Sequence, residues 1–365
     1  MARPASGRRG MMPLARLIGR LGGLTAVLVG LTLCAIVQQE VTGRPMAQSA
    51  TQRSAAAVQS HPAARVSGPP GTTPLIDQVQ ATVTDQWAEL VHSAFGVEKV
   101  PQPDVHLIWV DQAGGWAFGT CAVPPPPDVD AMPQVSLFVA RRTDETWRIG
   151  LAGTEDFGRL LRDAPEAVIP AEQRPLLEQY GTAKSGNPPK GLVLPWHAGQ
   201  SWTVQSLANT SGLRFAGGDG RVLASGPGRV YRLCAHSPGR GMLLLIHPNG
   251  TATEYYQVTD LTRVKDGASV RRGEYLGQVS TDRPCGGPSA QGPAAASFTL
   301  LSGDGAVSLD GVEIGGWTLH TDGGSFYADR SGMRVESGNP LLNFGTDPGR
   351  SSAPRPPAAP APRSS

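Results

Sequence analysis

Apolar residues at Ile76, Val79, Val83, Trp87, Leu90, Val91 and Phe95 recur at helical spacing. Thr73-Pro74 ahead of them offers a cap and a proline for the first helical position, and Gly96 can stop the helix. The period then changes. Val105–Val110, Trp116–Cys121, Val135–Ala140 and Trp147–Leu151 are short runs that read as strands. The stretches "DQAGG", "PPPPD" and "RTDET" between them are turn and loop chemistry. Two weaker helical patterns follow, near Phe157–Leu161 and Glu172–Tyr180. One helix and a four-strand meander predict a small α+β domain over 75–182, in which nothing clusters as catalytic machinery.

The bridge "GTAKSGNPPKG" leads into 192–345, where helical periodicity disappears. Short β-like runs recur at Arg221–Ala224, Arg229–Cys234, Met242–His247, Thr253–Val258, Tyr275–Val279, Ala296–Leu301 and Trp317–His320. Asn249-Gly250 is a hairpin turn signal. In "VKDGASVRRGEYLG", Gly267 and Gly273 stand six apart, as do Val264, Val270 and Leu276, so short strands can turn there and pack closely. The pattern predicts an all-β barrel or sandwich, and a chain that is mainly β.

The ends read differently. Residues 1–43 begin with five arginines within the first 20 positions and no acid, followed by the uncharged run Leu21–Val37. At 1.5 Å per residue, 17 helical residues span about 26 Å. A basic cluster ahead of an apolar run marks a signal peptide or a signal anchor, with everything beyond Gln38 outside the cytoplasm. The exported chain is then membrane-anchored through 21–37, or secreted and wall-associated. Residues 44–74 are a Pro/Ala/Ser linker and 346–365 a Pro/Ala tail, neither able to build a core. Subtracting the five arginines from 32 basic residues leaves 27 against 30 acids, so the body carries net −3. A nucleic-acid binder needs a basic body, and this chain lacks one. Of four cysteines, Cys34 lies in the apolar run, leaving Cys121, Cys234 and Cys285 for one bridge and a spare thiol.

The stretch "LPWHAGQSW … LRFAGGDGRVLASGPGRVYRLC … LLLIHPNGTATEYYQVTDL … VKDGASVRRGEYLGQV … CGG … SFTL … LDGVEIGGW" resembles the beta-lytic branch of the lysostaphin/LytM zinc endopeptidases, from about Leu194 to Asn343. The region before it resembles the propeptide-like segment preceding such domains. The resemblance implies cleavage of peptide cross-bridges in bacterial walls by a zinc-bound water. It implies three ligands: a His, the Asp of an "L-D-F" strand and the last His of "H-x-H-F". Catalytic histidines come from "Y-x-H-L" and the first His of "H-x-H". Two imidazoles and a carboxylate leave one zinc position open and lower the pKa of the bound water to about 7.

Here each of those positions departs from the pattern. "LRF" places Arg214 at the Asp position, and "YYQV" places Gln257 at the catalytic His. "AASF" places Ser297 at the ligand His and Ala295 at its partner. No histidine lies between His197 and His236, so the first ligand is missing, and His197 belongs to the "LPWHAGQSW" entry strand. A guanidinium 4 Å from Zn²⁺ costs about 8 kcal/mol at an effective dielectric near 20. That is comparable with the roughly 10–16 kcal/mol that binds structural zinc. The expectation is therefore no catalytic residues, no metal and no cofactor, zinc being lost from a site that active relatives keep.

His247 reads as a framework residue, and His236, His320 with Asp322, His106 and His92 lack ligand partners in sequence. Tyr255, Tyr256 and Phe298 adjoin the lost site, where the family's aromatics line a substrate groove, although alternate strand residues also pack cores. The resemblance further implies a Cys234–Cys285 disulfide, since relatives in the branch carry cysteines at both places. Two functions stay open. One is a non-catalytic pseudoenzyme of the envelope that binds peptidoglycan or regulates a wall hydrolase. The other is an active zinc endopeptidase with relocated ligands. Export is testable: protease treatment of intact cells is expected to degrade 192–345, and protection until lysis would overturn it.

Overall fold

A computed structural model of the chain describes residues 72–345, apart from 112, 114, 130, 184–187, 189, 208–211, 287–291, 304 and 323–324. The expected apolar segment 21–37, the linker up to 71 and the tail from 346 lie outside the described residues. Among the described residues no helix is long and apolar enough to cross a membrane.

The N-terminal region contains helices α1 (Thr73–Phe95), α2 (Glu155–Asp163) and α3 (Arg174–Thr182), with strands β1 (Asp104–Asp111), β2 (Trp116–Val123), β3 (Gln134–Thr143) and β4 (Thr146–Leu151). Then follow β5 (Ser201–Ser206), β6 (Gly212–Gly217), β7 (Arg221–Leu223), β8 (Gly228–Leu233), β9 (Arg240–Ile246) and β10 (Ala252–Thr259). Next are β11 (Ser269–Val270), β12 (Tyr275–Val279), β13 (Ala296–Ser302) and β14 (Gly305–Val307). The last are β15 (Glu313–Ile314), β16 (Trp317–Asp322), β17 (Ser325–Arg330), β18 (Met333–Glu336) and β19 (Pro340–Leu342). Helix α1 starts one residue earlier than the sequence pattern suggests. Thr72 holds the N-cap without a side-chain cap bond, so Pro74 takes the second helical position, where its missing N–H is equally harmless. Gly96 ends the helix in left-handed backbone at φ 66°. His197 lies in the turn before β5 and not in a strand, because the chain bends at Pro195 and Trp196 before it extends.

The meander β1-β2-β3-β4 is a four-stranded antiparallel sheet. Strand β2 is buried along its whole length. The reason is visible in the alternation. Ala117, Cys121 and Val123 face α1, packing with Leu75, Val79, Val83 and Phe138. Trp116, Phe118 and Ala122 face the other way, into a second core. That core is shared with the C-terminal region: α2 and α3 give Phe157, Leu160, Leu161, Leu177 and Tyr180, while β8, β9 and β10 give Tyr231, Leu233, Met242, Leu244, Ile246 and Tyr256.

Strands β8–β10 belong to an eleven-stranded sheet in the order β11-β8-β9-β10-β13-β6-β5-β19, with β12, β7 and β14 paired off this path. Alternate residues of the same strands point to its other side. Val230, Leu243, Leu245 and Tyr255 fill an interior with Trp196, Trp202, Phe215 and Phe298, where Trp196 and Trp202 stack at 5.3 Å. A separate four-stranded sheet, β15-β16-β17-β18, adds Ile314, Trp317, Leu319 and Phe326 to that interior. Each large apolar side chain contributes roughly 1.5–3 kcal/mol on burial. Baring the β8–β10 face would therefore cost roughly 10 kcal/mol, within the 5–15 kcal/mol that is the whole stability of typical domains.

Cys234 and Cys285 form a disulfide across 51 residues, and Cys121 is a buried free thiol. Replacing Cys285 by Ser is expected to lower unfolding free energy by roughly 3–5 kcal/mol, read from denaturant midpoints. A loss under about 1 kcal/mol would show that the loop is ordered without the bond.

Candidate functional site

The four positions singled out in the sequence converge. In register, Tyr256 on β10 faces Ser297 on β13, and Ser297 faces Arg214 on β6. Directly opposite residues share a face of the sheet, so all three side chains emerge on the face that meets the N-terminal region. Gln257 follows at a register irregularity in β10, between Tyr255 and Val258. Its backbone takes φ 59°, a left-handed conformation uncommon outside glycine. The bulge turns the Gln257 side chain to meet Ser297, whose Oγ donates to Gln257 Oε1 at 3.1 Å. The neighbouring chain is tied in by backbone bonds. Ser280 N–H donates to Gln257 O at 2.8 Å, and Ala295 N–H donates to Ser280 O at 3.3 Å. Gln257, Ser297 and Ala295 are buried, and Arg214 is half-buried.

The proline loop closes on the same end. Arg283 donates to Pro127 O at 2.9 Å, and Pro124 lies against Gly286, beside Cys285. Met132 shares the core that holds Tyr256 and Cys285.

No family model and no curated protein matches the chain. Solved structures do. The M23 metalloprotease pseudoalterin, from a deep-sea source, is 26% identical over 42% of this chain and 99% of that one, with a TM-score of 0.37. The lysostaphin catalytic domain from Staphylococcus simulans is 18% identical over 30% and 86%, with a TM-score of 0.21. A putative peptidase M23 from Pseudomonas aeruginosa is 19% identical over 61% and 96%, with a TM-score of 0.27. The chain is similar to M23 peptidases.

Arg214, Gln257, Ala295 and Ser297, the positions to which the resemblance assigns the site, do not fit zinc: a guanidinium, a carboxamide already bonded to a hydroxyl, and a methyl group offer neither imidazole nor carboxylate. Among the described residues no group of three His, Cys, Asp or Glu side chains could hold a metal. The histidines are dispersed. His197 faces Asp219 at 3.8 Å on the surface. His236 pairs with Asp104, whose hydrogen bond raises the imidazole pKa. His320 stacks on Tyr327 and lies 3.7 Å from Asp310 and 3.5 Å from Asp329. His92 bonds the Val97 carbonyl, and burial lowers the pKa of His106.

His247 is a structural residue. Its Nδ1–H donates to Pro227 O at 2.8 Å, leaving Nε2 to accept from Thr253 Oγ1 at 3.1 Å. The Thr253 and Tyr255 hydroxyls bond each other at 3.1 Å, and the Ser225 amide donates to the Tyr255 oxygen at 2.9 Å. Burial pushes the His247 pKa down to about 4, which favours the neutral imidazole. Tyr255 and Phe298 point into the interior, edge to face at 5.6 Å, and Tyr256 is buried under the N-terminal region. None of the three lines an open groove, because strand alternation commits both faces of β10 to cores.

Sequence reasoning passed over Glu254. It lies on the same face of β10 as Tyr256, fully buried, with Oε1 lacking a hydrogen-bond partner. The signal was a carboxyl directly before the aromatic pair Tyr255-Tyr256 in a predicted strand. Desolvation raises its pKa well above the usual carboxylate range, so folding favours the protonated acid. Its contribution is intact below about pH 4.5 and is lost as pH rises through the raised folded pKa. Glu254→Gln is expected to flatten that slope and to gain about 1–3 kcal/mol at pH 8. Equal stability of the two proteins from pH 5 to pH 8, by denaturant titration, would refute it.

Proposed function

We propose that this chain is an exported, non-catalytic M23-like protein of the cell envelope, acting by binding peptidoglycan or by regulating a wall hydrolase. The observation that carries the reading is the buried Ser297–Gln257 hydrogen bond beside Arg214 and Ala295. Where a metal-activated water would be generated, Ser297 Oγ is bonded to Gln257 Oε1, and the buried Gln257 Nε2 is left without a partner among the described residues. Nothing in that set lowers the pKa of a water from 15.7. The Cys234–Cys285 disulfide agrees with an oxidising compartment outside the cytoplasm.

Binding requires an open surface, and the sheet face is covered. A cavity of about 810 Å³ lies where His106, Leu107 and Ile108 of the edge strand β1 meet residues 235–240 and 260–263. Arg232 there is matched by Asp266 at 2.9 Å, whereas Arg263 makes no ion pair among the described residues, and Arg240 meets Asp282 only at 3.7 Å. Two weakly engaged guanidinium groups beside an open strand edge suit a carboxylate-bearing peptide in extended form.

The full exported chain should contain less than about one-tenth equivalent of zinc by elemental analysis. It should clear no wall substrate in a gel overlay, and Gln257→His alone should restore no activity. The protein should sediment with isolated wall sacculi, and Arg240→Glu with Arg263→Glu should weaken that retention about tenfold. One equivalent of tightly held zinc with chelator-sensitive lysis would establish the enzyme reading instead.

A further inference from the structure

We propose that residues 72–183 are a permanent layer of this protein rather than a propeptide removed on maturation, so that the β8–β10 face is an interaction surface whose occupant is the chain's own N-terminal region. The proposal deepens the non-catalytic reading, because a protein with no metal-bound water has no groove to unmask.

Three independent features support it. First, the covered face is largely apolar over β8–β10, with Glu254 a buried exception. Tyr231, Leu233, Met242, Leu244, Ile246, Ala252 and Tyr256 pack there against Phe118, Leu137, Val139, Phe157 and Tyr180. Release would expose a contiguous apolar patch of a kind that soluble proteins rarely leave open.

Second, glycines of the C-terminal region are fitted to α3 and its approach. A Cβ at Gly303 would collide with the Tyr180 carbonyl oxygen, one at Gly250 with Gln179, and one at Gly267 with the Gln173 side chain. Gly250 and Gly267 also take φ of 81° and 77°, so their turns have reasons of their own to use glycine, but Gly303 has no positive φ to explain it. Close backbone approach to α3 accounts for Gly303.

Third, the polar groups along the seam are matched across it. Thr120 Oγ1 donates to Arg232 O at 2.9 Å, and Tyr231 OH donates to the buried Gln173 Oε1 at 3.0 Å. Arg283 reaches Pro127 O, and His236 reaches Asp104. Separation would leave these donors and acceptors to water and would gain no chemistry in return.

The disulfide lies entirely within the C-terminal region, so no side-chain covalent bond joins the two parts. That makes a direct test available. A specific protease site is inserted between Thr182 and Gly191 of the full exported chain, which is then nicked and passed through a sizing column in native buffer. Both fragments are expected in one peak with no shift from the uncut chain, separating only in denaturant. In wild-type cells, antisera against each part should detect one band of the same mass. Fragments that elute apart in native buffer, or a mature species in the envelope lacking 72–183, would overturn the proposal. Zinc content of the same sample reports separately on the non-catalytic reading, so either can fail alone.

Discussion

The packing of two β-sheets face to face, with α2 and α3 at their margin, is the contact on which the rest of the molecule depends. Strand β2 of the meander and strand β9 of the large sheet are each buried on both sides, an arrangement usually found in the centre of layered proteins. Stacked across the shared core they create successive layers: α1, the four-stranded sheet, the face of the large sheet and the interior behind it. Remove the contact and both sheets lose half of their cover. The site positions inherit their burial from it, since Ser297 and Tyr256 emerge on the covered face.

That same contact explains what could and could not be read from the chain. Strand runs such as Met242–His247 and Thr253–Val258 announce themselves by apolar content, and α1 by its period, because those signals are local. The mating of two faces is not local. Phe118 and Leu244 are 126 positions apart, and nothing in either strand names its partner. Strands β17 and β18 were passed over for a different reason. Their exposed faces carry Tyr327, Asp329, Arg334 and Glu336, a polar mix that resembles a loop until paired. The aromatic residues beside the site illustrate the ambiguity of alternation. Tyr255 and Tyr256 are adjacent and equally aromatic, yet they belong to different cores.

At the site itself, residue identities were legible and conformation was not. The replacements Arg214, Gln257, Ala295 and Ser297 stand in the sequence. The bulge that lets Gln257 reach Ser297 depends on positive φ at a non-glycine residue, which composition does not signal. Such strain persists where surrounding structure over-determines it, here through the Ser280 amide bonded to the Gln257 carbonyl. The histidine network works by the opposite principle, with a line of hydrogen bonds running from the Ser225 amide through Tyr255, Thr253 and His247 to Pro227 O.

Cys121 carries a consequence for how the chain reaches its covalent form. Its thiol is sealed between α1 and the four-stranded sheet, in a core built entirely from residues 75–151, and burial drives its pKa far above the thiol range. Thiol exchange proceeds through the thiolate, so a folded N-terminal layer withdraws this sulfur from the redox chemistry of its surroundings. With Cys234 and Cys285, three one-bridge pairings exist and only one is native. Because that core draws only on residues 75–151, a chain that folded from its N-terminus would complete it before the other two cysteines emerged. In that order only Cys234 and Cys285 would remain to pair, and the layer that covers the sheet would also act, earlier, as a timekeeper for oxidation.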